Sequence, residues 1–116
     1  MGSYAEFNNI VMGSTETAGL LAKLEYPGSQ EITDSEKVQI RHLVYRLMNA
    51  WYIMQTSYAS NQLSSADFEM YKDDIRVLTE TYPGLLPVAT EILSQYKGML
   101  DLEIHEPFAE YAKRNG

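Results

Sequence analysis

The 116 residues suffice for one domain with a core of its own, and 45% hydrophobic with 22% charged residues is the balance of a globular chain, not a disordered one. The absence of cysteine excludes disulfides, thiolate metal sites and a thiol nucleophile, which fits a reducing compartment. A net charge of −7 with no run of Lys or Arg gives nucleic-acid binding little electrostatic support. The apolar runs fall far short of the roughly 20 residues a membrane-spanning helix needs.

Residues 1–60 carry six acids and four bases, residues 61–116 ten acids and five bases, so the acidity is concentrated in the second half. No signal-peptide pattern is present. Met1-Gly2-Ser3 is set aside as a candidate expression-tag remnant, and residues 4–116 are expected to form a single helical domain.

In chain order, Ala5–Met12 is a short, weak helix candidate with Phe7, Ile10 and Val11 apolar, interrupted by Gly13. Ser14 reads as an N-cap for Thr15–Leu24, whose apolar face would hold Ala18, Leu21, Ala22 and Leu24. Pro27-Gly28-Ser29 is a turn. Thr33-Asp34-Ser35-Glu36 is a capping box: the Thr33 hydroxyl accepts from the Glu36 N–H, and the Glu36 carboxylate accepts from the Thr33 N–H.

The next 25 residues hold no Gly or Pro. Ile40, Val44, Leu47, Trp51, Met54 and Tyr58 fall within an arc of about 80° at 100° per residue, widened by Leu43, Met48 and Ala50. Val38, Tyr45, Tyr52 and Thr56 make a second band roughly 140° away, with Ile53 beyond it. A helix apolar on two sides is usually covered on two sides; here either Ala5–Leu24 and the C-terminal helices cover both, or one band is a docking surface. At 1.5 Å per residue it runs about 40 Å, enough to cross the domain.

Asn61-Gln62 ends this helix, Asn tolerating the left-handed conformation. Ser64 caps the next, whose inward stripe is Phe68, Tyr71, Ile75, Leu78 and Tyr82, and Tyr82-Pro83-Gly84 stops it. Leu85–Leu100 reads as a further helix with Leu85, Val88, Ala89, Ile92, Leu93, Tyr96 and Met99 inward, weakened by Gly98. Glu106–Arg114 is a short terminal helix anchored by Phe108 and Tyr111. The expected fold is all-α: a compact helical bundle of four to six helices around one long central helix at about 33–60.

The order of these features from Ser14 to Tyr111 resembles a group of small bacterial proteins of unknown function. In that group a soluble helical domain often follows N-terminal membrane helices. The resemblance rests on Asn49-Ala50-Trp51-Tyr52, Leu63-Ser64, Phe68, Tyr82-Pro83-Gly84 and Glu106-Pro107-Phe108, which are anchors, caps and breakers. Asn61-Gln62 departs from it where a Gly-Leu turn is commoner, and this chain has no membrane helix. The resemblance implies the helical fold and a membrane-tethered origin, and supplies no catalytic residue.

Chemistry-bearing clusters are sparse. Glu103-x-His105-Glu106 is the densest candidate ligand set, but two histidines and no cysteine are poor material for a closed metal site. His42, the other histidine, lies on the back of the long helix. Asp67, Glu69, Asp73, Asp74 and Glu80 read as a solvated face with Lys72 and Arg76 as pairing partners. No catalytic triad, phosphate loop or nucleotide fingerprint is found, so the chain is expected not to be an enzyme, and no cofactor is expected.

The nine tyrosines have apolar bodies and polar tips, suited to a core, an interface or a pocket. The leading expectation is a non-enzymatic interaction module that binds a protein partner or itself as a homodimer, in the cytoplasm or on the cytoplasmic side of a membrane. Its candidate interface residues are Tyr45, Asn49, Tyr52 and Ile53, with Asn49 also the best buried-polar candidate, either fixing helix register through hydrogen bonds or facing solvent with Arg46. The alternative is a small-molecule-binding domain with a Tyr- and Met-lined pocket between the long helix and Leu85–Leu100. A carboxylate/His metal site ranks third.

Overall fold

A computed structural model describes residues 15–115. Among them are five α-helices: α1 Thr15–Glu25, α2 Asp34–Ala59, α3 Ser65–Thr81, α4 Leu85–Ser94 and α5 Glu106–Asn115, with a single 3₁₀ turn at Glu103–His105 and no strand. The expected helix over Ala5–Met12 and the Ser14 cap lie outside the described residues.

The caps are built as their residue types dictate. The Thr33 Oγ1 accepts from the Glu36 N–H at 3.2 Å, and the Glu36 carboxylate accepts from the Thr33 N–H at 2.9 Å. Ser64 caps α3 by accepting from the Asp67 N–H at 3.1 Å. Between them Asn61 adopts φ 62°, the left-handed conformation that turns the chain out of α2.

The long helix is the organising element. Its seam residues Ile40, Val44, Leu47 and Trp51 are buried, as are Leu43 and Met48, while Met54 and Tyr58 are partly covered. They pack against α4, the 3₁₀ turn and α3, with α5 closing over α4. Tyr58 stacks on Phe68 of α3 with 4.0 Å between ring centroids. Trp51 meets Phe108 of α5 at 5.2 Å. Burial of each such large side chain is worth about 1.5–3 kcal/mol, so this seam is a large contributor to the fold's stability.

The first helix docks through Leu20 and Leu24, one turn apart, while Ala22 faces out; the inward residue is Leu20 where the apolar pattern suggested Ala22. Three contacts hold α1 in place. The Gly84 N–H donates to the Leu24 carbonyl at 2.9 Å. Lys23 bridges to Glu36 at 2.7 Å and donates to the Glu31 carbonyl at 3.0 Å, tying α1 to the capped end of α2. A Cβ at Gly84 would stand 3.0 Å from the Leu24 Cα and carbonyl oxygen, so the chains approach this closely only with glycine here.

The helix expected over Leu85–Leu100 ends at Ser94. Around Gly98 (φ 80°) the backbone makes successive i→i+3 turns, Met99 N–H to Tyr96 carbonyl, Asp101 to Gly98 and Leu102 to Met99. This break reverses the expectation for Tyr96, which is 45% exposed and not inward, while Met99 and Leu100 still reach the core edge. No helix among the described residues is long and apolar enough to cross a membrane.

Candidate interaction surface

The second band of α2 is for the most part uncovered. Ile53 is 63% exposed, Val38 53% and Tyr52 48%, whereas Tyr45 is half-buried and packs against the core. Asn49 faces solvent, the second of its two expected placements, so it is a surface residue on this face and not a buried register-fixing group. Of the two arrangements expected for α2, cover on both sides or one band left open, the described residues have the open band. Only the seam side is enclosed, because α3, α4 and the 3₁₀ turn all gather there.

The loop after α4 adds to this face. Met48, Asn49, Tyr52, Tyr96, Lys97 and Met99 line a shallow groove of about 460 Å³. The neighbouring Tyr45 hydroxyl raises the Tyr96 pKa above the usual phenol value. Tyr96 and Lys97 were not legible as surface partners of α2, since a continuous helical period placed Tyr96 inward. Gly98 was the signal that the period would break.

Charge distinguishes this face from the rest of the molecule. From Lys37 to Ala66 the chain carries Lys37, Arg41 and Arg46 and no Asp or Glu. Arg41 pairs with Glu91 at 4.0 Å and Lys37 with Asp34 at 3.9 Å. Arg46 and Lys97 have no ion-pair partner among the described residues. An acidic protein thus presents a cation-rimmed, aromatic surface on its longest helix.

No protein-family model, curated protein or solved structure matches the chain.

The candidate ligand set at Glu103, His105 and Glu106 is not brought together. Glu103 accepts from Lys72 at 2.7 Å, and Glu106 meets Arg76 at 3.4 Å and Lys72 at 3.9 Å. The Glu103 carboxylate, with Glu69 adding to it, raises the Lys72 pKa above its ordinary value against the opposing effect of burial. His105 points the other way, fully buried between Trp51 and Phe108. Its Nδ1–H donates to the Met99 carbonyl at 2.7 Å, which assigns the proton to Nδ1, and burial pushes its pKa below the usual imidazole value. No three His, Asp or Glu side chains among the described residues could hold an ion together. Sequence spacing missed this because a 3₁₀ turn spreads successive side chains around its axis at about 120°.

On α3, Lys72 and Arg76 turn toward the 3₁₀ turn and α5, while Met70 (52% exposed) and Val77 (48%) stand outward among Glu69, Asp73, Asp74 and Glu80. The acidic face expected on this helix is present, but it contains an apolar strip that composition alone did not single out.

Proposed function

We propose that the protein is a non-enzymatic interaction module whose docking surface is the outward face of α2. The observation that carries this reading is the uncovered pair Tyr52 and Ile53 on a face rimmed by Arg46 and Lys97. Exposed apolar and aromatic residues grouped inside a charged rim are the composition of a protein interface. Tyr, Met and Arg, all present here, are enriched in such surfaces.

The test is the double substitution Tyr52→Glu with Ile53→Glu. On a docking face it leaves the fold's stability within about 0.5 kcal/mol, as for other exposed sites, and abolishes association. A loss of several kcal/mol would show that the face is covered within the monomer, and the reading would fall.

A second reading has the groove of Met48, Asn49, Tyr52, Tyr96, Lys97 and Met99 in its support. Thioethers and ring faces suit a flat aromatic or amphipathic molecule, with Lys97 offering charge to an anionic group. The groove is shallow, whereas small-molecule sites enclose most of their ligand, and this places the reading second. Thermal stabilisation by lipids or aromatic metabolites, lost in Tyr52→Ala, would raise it above the first.

A further inference from the structure

The outward faces of α2 and α3 are complementary in charge and alike in form. The face of α2 holds Tyr52 and Ile53 with His42, Arg46 and the neighbouring Lys97, and no carboxylate lies on that helix beyond Glu36. On α3, Ala66, Met70, Asp73 and Val77 fall within an arc of about 60°, making a straight ridge. Met70 and Val77 are half exposed, and carboxylates flank them on both sides.

Asp74 and Glu80 have no ion-pair partner among the described residues, because Lys72 and Arg76 bind Glu69, Glu103, Glu106 and Asp73.

We propose that the α2 face of one copy binds the α3 face of a second copy, head to tail, so that the chain associates through two different surfaces. This rests on the reading of α2 as a docking surface and names its occupant. A two-fold pairing of α2 on α2 would bring Arg46 and Lys97 of both copies together with no carboxylate between them, and α3 on α3 would gather Asp74 and Glu80 of both copies in the same way. Only the unlike pairing brings cations to carboxylates while covering Tyr52 and Ile53 with Met70 and Val77. A contact between different patches is heterologous and leaves one unfilled face of each kind at the ends of an open assembly.

The experiment uses the full chain and two variants, Tyr52→Glu/Ile53→Glu and Met70→Lys/Val77→Lys, followed by light scattering on size exclusion from micromolar to millimolar concentration. The wild type gains mass with concentration and loses it with salt. Each variant alone is weakened about tenfold or more and runs as a monomer. An equimolar mixture of the two gives a 1:1 dimer and nothing larger, since each retains the face the other needs. A wild type that is monomeric throughout, or a mixture that stays monomeric, overturns the head-to-tail contact. Loss of association in the α2 variant with wild-type behaviour in the α3 variant overturns the occupant and leaves α2 as the docking face. Wild-type association in both variants overturns both. A large fall in the melting temperature of the monomeric α2 variant assigns the face to another segment of the same chain and also overturns the proposal.

Discussion

The indole of Trp51 and the imidazole of His105 pack edge to face inside the core, 5.9 Å between centroids and 68° apart. Each brings a nitrogen without a hydrogen-bond partner among the described residues: the Trp51 Nε1–H is a donor and the His105 Nε2 an acceptor. The pair joins α2 to the 3₁₀ turn, and the Gln55 side chain reinforces the junction by accepting from the Ile104 N–H at 3.0 Å. This junction makes the core sensitive to acid.

The His105 pKa is lowered in the folded state by burial, so below the ordinary histidine value of about 6.5 the unfolded chain binds a proton that the folded chain refuses. Stability is complete above that pH and declines as pH falls from it toward the folded pKa. Denaturation midpoints measured from pH 8 to 5 should show this decline, and His105→Phe should flatten it. An imidazole that titrates at or above about 6.5 by NMR would contradict the burial argument.

Trp51 is 1% exposed and touches both His105 and Phe108. Trp51→Ala leaves a cavity that close-packed neighbours only partly fill, and a loss of about 3–5 kcal/mol in urea denaturation is expected. A loss below about 1 kcal/mol would mean that the junction is loosely packed.

Gly84 is held for space and not for backbone freedom, since its φ of −63° suits any residue. Gly84→Ala forces Leu24 outward and is expected to cost about 1–3 kcal/mol, together with faster amide exchange at Gly84 and along α1. Unchanged exchange at these amides would show that α1 is not held by this contact.

Thr33 and Ser64 each satisfy an otherwise unpaired helical N–H, so Thr33→Ala and Ser64→Ala should each cost about 1 kcal/mol. The Thr33 change carries a pH signature. Lys23 first, and then the Thr33 N–H, lowers the Glu36 pKa, so the stabilisation from this corner is present above the ordinary carboxylate range and lost as pH falls through the folded pKa. Lys23→Met should shift the acid limb of the stability profile; an identical profile would count against the pairing.

Much of the skeleton could be read without coordinates, because caps, breakers and helical period act over a few residues. Thr33 with Glu36, Ser64 with Asp67, Asn61 and Tyr82-Pro83-Gly84 each depend on local geometry, and each performs the role its residue type implies. The seam from Ile40 to Trp51 is similarly determined by the chain's own 3.6-residue period. The candidate interface residues Tyr52 and Ile53 were legible as a second band, though not whether anything covered it.

That decision belongs to the tertiary structure. A helix face is buried or exposed according to which neighbours reach it, and here α3, α4 and the 3₁₀ turn all pack on one side of α2. The same long-range choice buried His105 against Trp51, dispersed Glu103 and Glu106 to Lys72 and Arg76, and turned Tyr96 outward beyond the left-handed Gly98. Local pattern determines which residues can share a helix face; only the packing of distant segments determines whether that face becomes core or surface.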